Sequence, residues 1–266
     1  MIDIGANLAD ATFEGDRDAV LARAVAAGVT AILVTGTSLA RSRAALDLAR
    51  AHPGFLFATA GVHPHEARHC DAAAIDGLRA LAREPEVVAV GECGLDHFRD
   101  LSPRDVQLAA CESQLVLAAD VGKPVFLHER DAADVMLPLL RRWRARLAGG
   151  VVHCFTGSRE ALHGYLDLDL HVGITGWICD ERRGGSLRDL VREIRDDRLL
   201  VETDSPYLLP RSLLPRPATR RNEPCWLGEV CAVVARCRGT TREVIAATSA
   251  ANARRLFRLP PCSAHQ

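Results

Sequence analysis

The chain has 266 residues, and its 33 lysines and arginines against 34 aspartates and glutamates leave a formal net charge of −1 at pH 7. Hydrophobic residues make up 48% and charged residues 25% of the sequence, proportions that are ordinary for a globular protein and exclude a disordered chain. The neutral balance also excludes a protein that holds nucleic acid mainly by bulk positive charge, although a local basic patch is compatible with it.

Membrane-spanning and disulfide-rich classes are also disfavoured. No apolar run reaches the roughly 18 to 20 residues that a membrane-spanning helix needs, and the first residues lack the basic and apolar regions of a secretory signal. The nine cysteines are irregularly spaced and form no CxxC pair, so neither a disulfide framework nor a zinc finger is indicated. These features predict a cytoplasmic protein with reduced thiols and no membrane contact.

Short apolar runs alternate along the chain with longer amphipathic stretches. The short runs predict eight buried parallel strands, over residues 1–8, 31–36, 55–65, 86–94, 123–131, 150–157, 170–177 and 198–204. The stretches between them predict helices over residues 14–27, 38–51, 71–83, 104–121, 131–147, 158–168 and 185–195. Three more helices are predicted after a loop rich in proline and arginine, over residues 224–238, 241–248 and 250–257. Ser102 before Pro103 is typical of an N-cap at the start of the fourth helix.

Eight strand–helix units in succession predict a (β/α)8 TIM barrel of the α/β class. The alternative is a doubly wound sheet, which usually has a glycine-rich phosphate loop after its first strand, and neither GxGxxG nor GxxxxGK[ST] occurs here. No linker or change in composition indicates a second domain, so we expect residues 1–266 to form one domain. The tail, about residues 259–266, is predicted to be frayed.

Polar residues end several predicted strands, and the carboxyl ends of barrel strands meet at the mouth where active sites lie. A buried carboxylate or imidazole is costly unless it is paired or bound to metal. We therefore expect a site for divalent metal (Zn, Mn, Mg or Ni) and hydrolysis by metal-activated water. The expected ligands are Glu92, His128, His153 and Asp204; Asp3, Asn7, His63 and His65 lie at the same mouth.

Two residue types are excluded from this site. Successive side chains of a strand face opposite ways, so Cys93 and Cys154 should point away from the barrel if Glu92 and His153 point into it. Lys123 is the only lysine and precedes the fifth strand, at the opposite mouth. A carbamylated lysine bridging two metals is therefore excluded, and Lys123 is expected to be an ordinary surface charge.

Seven motifs resemble the TatD family of metal-dependent nucleases, and the resemblance runs from the first residues to about Phe257. They are AGVHPH (60–65), GECGLD (91–96), PVFLHERDA (124–132), HCFTG (153–157), GITGWICDERRG (173–184), ETDSPYLLPR (202–211) and RRNEP (220–224). The resemblance implies a TIM-barrel hydrolase that uses a divalent metal to trim single-stranded DNA and RNA from the 3′ end. The substrate partners would be single-stranded DNA or RNA ends.

Site roles follow as hypotheses from this resemblance. Glu92, His128 and His153 would be the primary metal ligands. Asp204 would bind the metal directly or through water and act as the base that orients the attacking hydroxide. The catalytic set is completed by His63 and His65, which would contact the scissile phosphate or protonate the leaving 3′ oxygen. Hydrogen bonding within the loop is the alternative role for these two histidines, and Asp96 is expected to order a water or an arginine.

The first strand departs from the wider family, whose D-x-H-x-H motif is replaced here by Asp3, Gly5 and Asn7. The loss of two imidazoles favours Mg²⁺ most, with Mn²⁺ or Zn²⁺ as alternatives, and Asn7 would contribute a carbonyl oxygen or a water contact.

Substrate-binding residues are expected on loops of the same mouth. Arg130, Arg182, Arg183, Arg220 and Arg221 follow strands 5, 7 and 8 and would bind phosphate oxygens. One or two of the aromatic residues Trp177, Phe155 and Tyr207 would stack a terminal base, with loop packing as the alternative for each.

Two other functions fit the same ligand set: a barrel hydrolase acting on a small amide or ester, and a non-catalytic scaffold with a vestigial metal site. Rim arginines favour the phosphodiester. We expect a monomer.

Overall fold

Eight strands follow one another in sequence order around a single parallel sheet. The computed structural model describes residues 1–261. The strands are Ile2–Ala6 (β1), Ala31–Val34 (β2), Leu56–Ala60 (β3), Val87–Asp96 (β4), Val125–Arg130 (β5), Gly150–Val152 (β6), His171–Ile174 (β7) and Leu199–Val201 (β8). Each is parallel to the next. The last strand returns to the first, because the backbone N–H of Asn7 donates to the Ser205 carbonyl at 2.7 Å and that of Asp204 to the Gly5 carbonyl at 2.8 Å. The predicted TIM barrel is confirmed.

Helices connect these strands and pack around the barrel. They are Arg17–Ala26 (α1), Leu39–Ala51 (α2), Ala72–Ala82 (α3), Arg104–Val121 (α4), Ala133–Trp143 (α5), Arg159–Asp167 (α6), Gly185–Leu190 (α7), Leu227–Arg238 (α8) and Arg242–Phe257 (α9). The two helices predicted near the end are one continuous helix, α9, since no glycine or proline interrupts residues 242–257. None of the helices within residues 1–261 is long and apolar enough to cross a membrane.

The barrel interior is filled by side chains of alternate strand residues, as expected for eight strands. Its core consists of residues such as Ile4, Leu33 and Phe126, each with no exposed surface. Phe257, the last residue of α9, and Leu259, two residues beyond it, pack into the same cluster at 3% and 7% exposure. The expectation of a frayed tail is therefore wrong for Leu259, because this side chain is buried with the interior residues of the barrel, and residues 262–266 lie outside the described part.

Two expectations about local contacts are also wrong. Pro103, without a side-chain bond, is the N-cap of α4, whereas the Ser102 hydroxyl donates to the His65 carbonyl at 3.0 Å. Lys123 is half-buried, and its ammonium donates to the carbonyls of Glu84 (2.8 Å) and Val87. Ser102 thus holds a loop of the mouth and Lys123 ties together the amino-terminal ends of two strands.

Candidate metal centre

Because side chains alternate along a strand, the residues two positions after the interior core residues face the site at the barrel mouth. Phe126 of β5 and Leu200 of β8 fill the barrel core. Two residues later come His128, on β5, and Glu202, directly after the end of β8, and both therefore face the mouth. The same spacing separates the core residue Val151 from His153. Apolar interior residues are thus followed directly by a ring of titratable ones at the carboxyl ends of the strands.

Glu92 enters this ring at an irregularity of β4. The pairing of β4 with β5 shifts register between Gly91 and Cys93, which leaves Glu92 as the extra residue. Gly91 and Gly94 have φ values of 138° and 146°, and a Cβ on either would collide with the backbone of β5. Glycine at both positions therefore allows the close approach of β4 to β5 that brings Glu92 beside His128.

Three imidazole nitrogens converge on a single oxygen, Oε1 of Glu92. The Nε2 atoms of His153 and His63 lie 2.7 and 3.3 Å from it, and Nδ1 of His128 lies 3.0 Å away. Burial opposes the charge on Glu92, but the neighbouring histidines outweigh that effect and hold the pKa of Glu92 well below its usual range. The carboxylate is therefore ionised at neutral pH and faces several donor nitrogens.

Two further carboxylates stand behind these histidines. Nε2 of His128 faces Asp96 Oδ2 at 3.3 Å, and Nδ1 of His153 faces Glu202 Oε2 at 3.3 Å. Burial lowers the pKa of both rings, but Asp96 and Glu92 beside His128, and Glu92 and Glu202 beside His153, reverse the effect and raise both pKa values. Each ring therefore has one nitrogen toward Glu92 and the other toward a second carboxylate.

His63 is oriented differently. Its Nδ1 accepts a hydrogen bond of 3.1 Å from the backbone N–H of His65. Because a backbone N–H only donates, the ring proton of neutral His63 resides on Nε2, the atom that faces Glu92 and His128. Burial lowers the pKa of His63, so the ring is neutral near pH 7. This arrangement presents an N–H at the centre of the site.

His65 pairs with Asp96 rather than with Glu92. Its Nε2 lies 2.7 Å from Asp96 Oδ2. Burial opposes the charge on Asp96, but hydrogen bonds from His128 and His65 outweigh it and lower the pKa of the carboxyl. Asp96 therefore joins two histidines of the mouth directly. The sequence predicts only that Asp96 orders a water or an arginine, and does not indicate these two partners.

Asp204 lies at the mouth after β8 and is held by the first strand. Nδ2 of Asn7 donates to Asp204 Oδ1 at 3.2 Å, so Asn7 contributes its amide rather than a carbonyl oxygen at this contact. Burial raises the pKa of Asp204 to about 7; His153 opposes this shift, and Glu92 adds to it. Asp3, in contrast, is buried in the barrel wall, where Oδ1 accepts from the Thr203 backbone N–H at 2.9 Å and Oδ2 from the Thr203 hydroxyl at 2.5 Å.

Glu202 is the residue that sequence reasoning missed. It has no exposed surface, and its Oε1 accepts a 2.6 Å hydrogen bond from the Cys154 backbone N–H while Oε2 faces His153. Its position in E-T-D, two residues after a core leucine, was the available signal. The predicted strand 8 extends to Asp204, whereas β8 ends at Val201, so Glu202 already lies at the mouth.

The two excluded cysteines have different surroundings. Cys93 is buried with the helix-facing core, as alternation predicts. Cys154 follows the end of β6 with φ of 46°, so alternation does not apply to it, and its Sγ lies 3.6 Å from Thr175 Oγ1. Burial raises the pKa of Cys154 to about 12, which leaves a neutral thiol beside the site. All eight cysteines within residues 1–261 are unpaired.

The predicted phosphate-binding arginines differ in their partners. The Arg221 guanidinium donates to Asp16 at 2.8 and 2.7 Å and to Glu223 at 2.8 Å, so binding a phosphate would require it to leave these carboxylates. Arg183 bonds Asp180 at 3.1 Å and lies 4.6 Å from the ring centre of Trp177. Arg130, Arg182 and Arg220 make no ion pair within the described chain.

The aromatic side chains differ sharply in exposure. Phe155 is 1% exposed and packs edge-on against Tyr165 at 6.4 Å, so the expectation that it stacks a base is wrong. Trp177 is half-buried under Arg183. Tyr207 is 56% exposed. Loop packing therefore accounts for the position of Phe155, whereas the exposed Tyr207 remains available to stack a base.

A divalent cation fits this donor set. His63, Glu92 and His128 offer donor atoms within 4.8 Å of one another, and His153 adds a nitrogen 2.7 Å from Glu92. Lone pairs that face each other this closely repel unless a proton or a metal ion lies between them. A histidine nitrogen toward the centre with a carboxylate behind the ring is also the usual arrangement of metal-binding histidines. Because His63 carries its proton on Nε2, the ring nitrogens best suited to bind are those of His128 and His153.

Comparison with known proteins supports this assignment. The sequence profile of the TatD related DNase family matches residues 2–258. The 3′-5′ ssDNA/RNA exonuclease TatD of Erwinia billingiae is 52% identical over 260 residues, which cover 98% of this chain and all of that protein. Its counterpart in Edwardsiella piscicida is 52% identical over 259 residues, or 97% and 100% of the two chains. Among solved structures, the TatD homolog YJJV from Escherichia coli superposes with a TM-score of 0.88 at 32% identity and covers 98% of each chain.

Proposed function

The chain belongs to the TatD related DNase family, and from this premise we propose that it is a metal-dependent 3′–5′ exonuclease acting on single-stranded DNA and RNA. It is a hydrolase of the nuclease type. The observation that carries the proposal is the convergence of three imidazole nitrogens within 3.3 Å of Glu92 Oε1. The full-length match to relatives with this named activity supports the choice of substrate.

Glu92, His128 and His153 are the proposed metal ligands, and Asp204 completes the set. A bound divalent cation lowers the pKa of a water molecule and neutralises charge that develops on phosphoryl oxygens. Asp96 and Glu202 hold the outer nitrogens of His128 and His153, so the inner nitrogens keep a fixed direction. The rings of His128 and His153 are thus oriented for metal binding before substrate binds.

Asp204 and His63 are assigned to the attacking and the leaving oxygen. Asn7 holds Asp204 Oδ1, and Oδ2 is the proposed acceptor of the proton from the attacking water. His63 presents its Nε2–H at the centre of the site and is proposed to donate it as a hydrogen bond to the leaving 3′ oxygen, which takes its proton from water, because a neutral imidazole does not release this proton near pH 7. His65, which orients His63 through its backbone and bonds Asp96, is proposed to contact the scissile phosphate.

Arg130, Arg182 and Arg183 are the proposed phosphate contacts, with Trp177 as a stacking surface beside Arg183. Arg221 is also a predicted phosphate contact. Its guanidinium is already paired with Asp16 and Glu223, so the other three arginines are the favoured contacts. Mg²⁺ is the proposed ion because Glu92 and Asp204 supply oxygen ligands; the imidazoles also suit Mn²⁺ and Zn²⁺. We further propose a cytoplasmic monomer formed by one domain, since all ligands come from one chain and the eight described thiols are unpaired.

The test is to strip the purified protein of metal and to add Mg²⁺, Mn²⁺ or Zn²⁺ separately with 5′-labelled single-stranded DNA or RNA. The expected product is a ladder that shortens from the 3′ end in the presence of metal. Glu92→Gln should abolish it, while Glu229→Gln, on the outer helix α8, serves as the matched control. Metal-independent cleavage, or cleavage by Glu92→Gln at the wild-type rate, would refute the proposal, and hydrolysis of small esters alone would favour a small-molecule hydrolase.

A further inference from the structure

Phe98 is a large aromatic side chain left exposed beside the metal centre. It is 57% exposed and lies two residues after Asp96, the last residue of β4. Asp96 itself bonds His65 and His128. The ring therefore stands on the mouth of the barrel, on the loop that continues from the site.

The exposed ring is nevertheless held in place. Asp96 Oδ1 accepts from the backbone N–H groups of Phe98 at 3.0 Å and Arg99 at 2.8 Å. The His97 backbone N–H donates to the Arg130 carbonyl at 2.9 Å. The guanidinium carbon of Arg130 lies 4.1 Å from the centre of the Phe98 ring, a favourable cation–π contact. One face of the ring is thus covered by Arg130 in an anchored loop, and much of the side chain stays open to solvent.

This pair combines the two features that bind a nucleotide. An aromatic face stacks a base of any identity, and a guanidinium binds phosphate oxygens through two donors. Arg130 makes no ion pair with any carboxylate in residues 1–261, so its donors are available. Tyr207, 56% exposed, follows Asp204 at β8, which lies opposite β4 in an eight-stranded barrel. Exposed aromatic rings therefore flank the metal centre on two sides.

We propose that Phe98 and Arg130 form a nucleotide subsite, in which the open face of Phe98 stacks on an unpaired base next to the scissile bond and Arg130 binds the adjoining phosphate. The inference rests on the proposed exonuclease function and specifies the group that the mouth recognises. A base inside a duplex already has both faces stacked, so a stacking subsite selects single-stranded ends.

The experiment compares Phe98→Ala, Phe98→Tyr and the matched control Leu101→Ala, an exposed residue of the same loop at 58%. Substrates are a 5′-labelled single-stranded oligodeoxynucleotide and two versions with an abasic residue at the last or next-to-last position. Phe98→Ala should raise KM about tenfold at unchanged kcat, while Phe98→Tyr and Leu101→Ala should match wild type. For wild type, KM should rise by the same factor on one of the two abasic substrates. On that substrate, the KM of Phe98→Ala should be no higher than that of wild type.

The outcomes separate the two proposals. If wild type cleaves the oligonucleotide and Phe98→Ala has the same KM, the subsite is refuted and the exonuclease function stands. Stacking is also refuted if Phe98→Ala has a higher KM than wild type on both abasic substrates, by the same factor as on the intact oligonucleotide. The effect of Phe98 would then not depend on the presence of a base. If wild type cleaves no oligonucleotide with any metal, the exonuclease function itself fails. Equal melting temperatures of the variants guard against a folding defect.

Discussion

Replacing Glu202 by glutamine tests how the metal-binding histidines are oriented. In the wild type, Glu202 accepts two hydrogen bonds, from the Cys154 backbone N–H at 2.6 Å and from His153 Nδ1 at 3.3 Å. Glutamine has the same shape but only one acceptor oxygen. If that oxygen stays on Cys154, the amide NH₂ of the new side chain faces His153 Nδ1 and favours the tautomer with the proton on Nε2. Nε2 is the nitrogen that lies 2.7 Å from Glu92 and is needed for the metal.

The alternative rotamer is no better, because its NH₂ group then faces the Cys154 N–H, and two donors cannot bond each other. We therefore expect Glu202→Gln to weaken metal binding by about 10- to 100-fold, equivalent to about 1.4 to 2.7 kcal/mol. Titration calorimetry with Mn²⁺ on metal-free protein measures this directly. Glu193→Gln, a carboxylate paired with His163 and Arg159 on the outer surface, is the matched control. A folded Glu202→Gln protein that binds Mn²⁺ as tightly as wild type would refute the orienting role.

Four further changes test other parts of the structure. Asp3 has a pKa raised to about 7 by burial, against 3.8 for a free carboxyl, so its ionisation opposes folding as pH rises from about 4 to about 7. Asp3→Asn should leave stability unchanged at pH 4 and raise it above pH 7 by at most about 4 kcal/mol in denaturant unfolding; a pH-independent difference would contradict this. Gly94→Ala should lower the free energy of unfolding by about 1–3 kcal/mol or more and weaken metal binding, because φ is 146° and its Cβ would meet the β5 backbone. A melting temperature equal to that of wild type would rule out that collision. Phe257→Ala should lower the free energy of unfolding by about 3–5 kcal/mol, because a buried ring of the barrel core is lost. A smaller change would mean that the core residues around Phe257 repack. Arg221→Ala should lower the melting temperature and leave KM within about twofold, whereas a large rise in KM with normal melting would identify Arg221 as a substrate contact.

The barrel could be predicted because its signal is local and repeated. Each apolar run, such as residues 31–36, is long enough for one buried strand, and each amphipathic stretch after it suits one covering helix. Eight repeats of this unit leave few topologies. The mouth residues followed from the same logic, since Glu92, His128 and His153 come at the carboxyl ends of strands and these ends meet at one side of the sheet. No long-range information was needed for either step.

The sequence by itself therefore determined the barrel, the mouth and most residues in it, while the tertiary structure decided which groups pair. Glu202 holds His153 across 49 residues of chain, and Arg221 meets Asp16 across 205. No local pattern encodes such a partner, because hydrogen bonds and ion pairs depend on atoms that only folding brings within about 3 Å. The same holds for Phe155 and Phe98, both aromatics after a barrel strand: packing against Tyr165 buries one, and the loop held by Asp96 exposes the other.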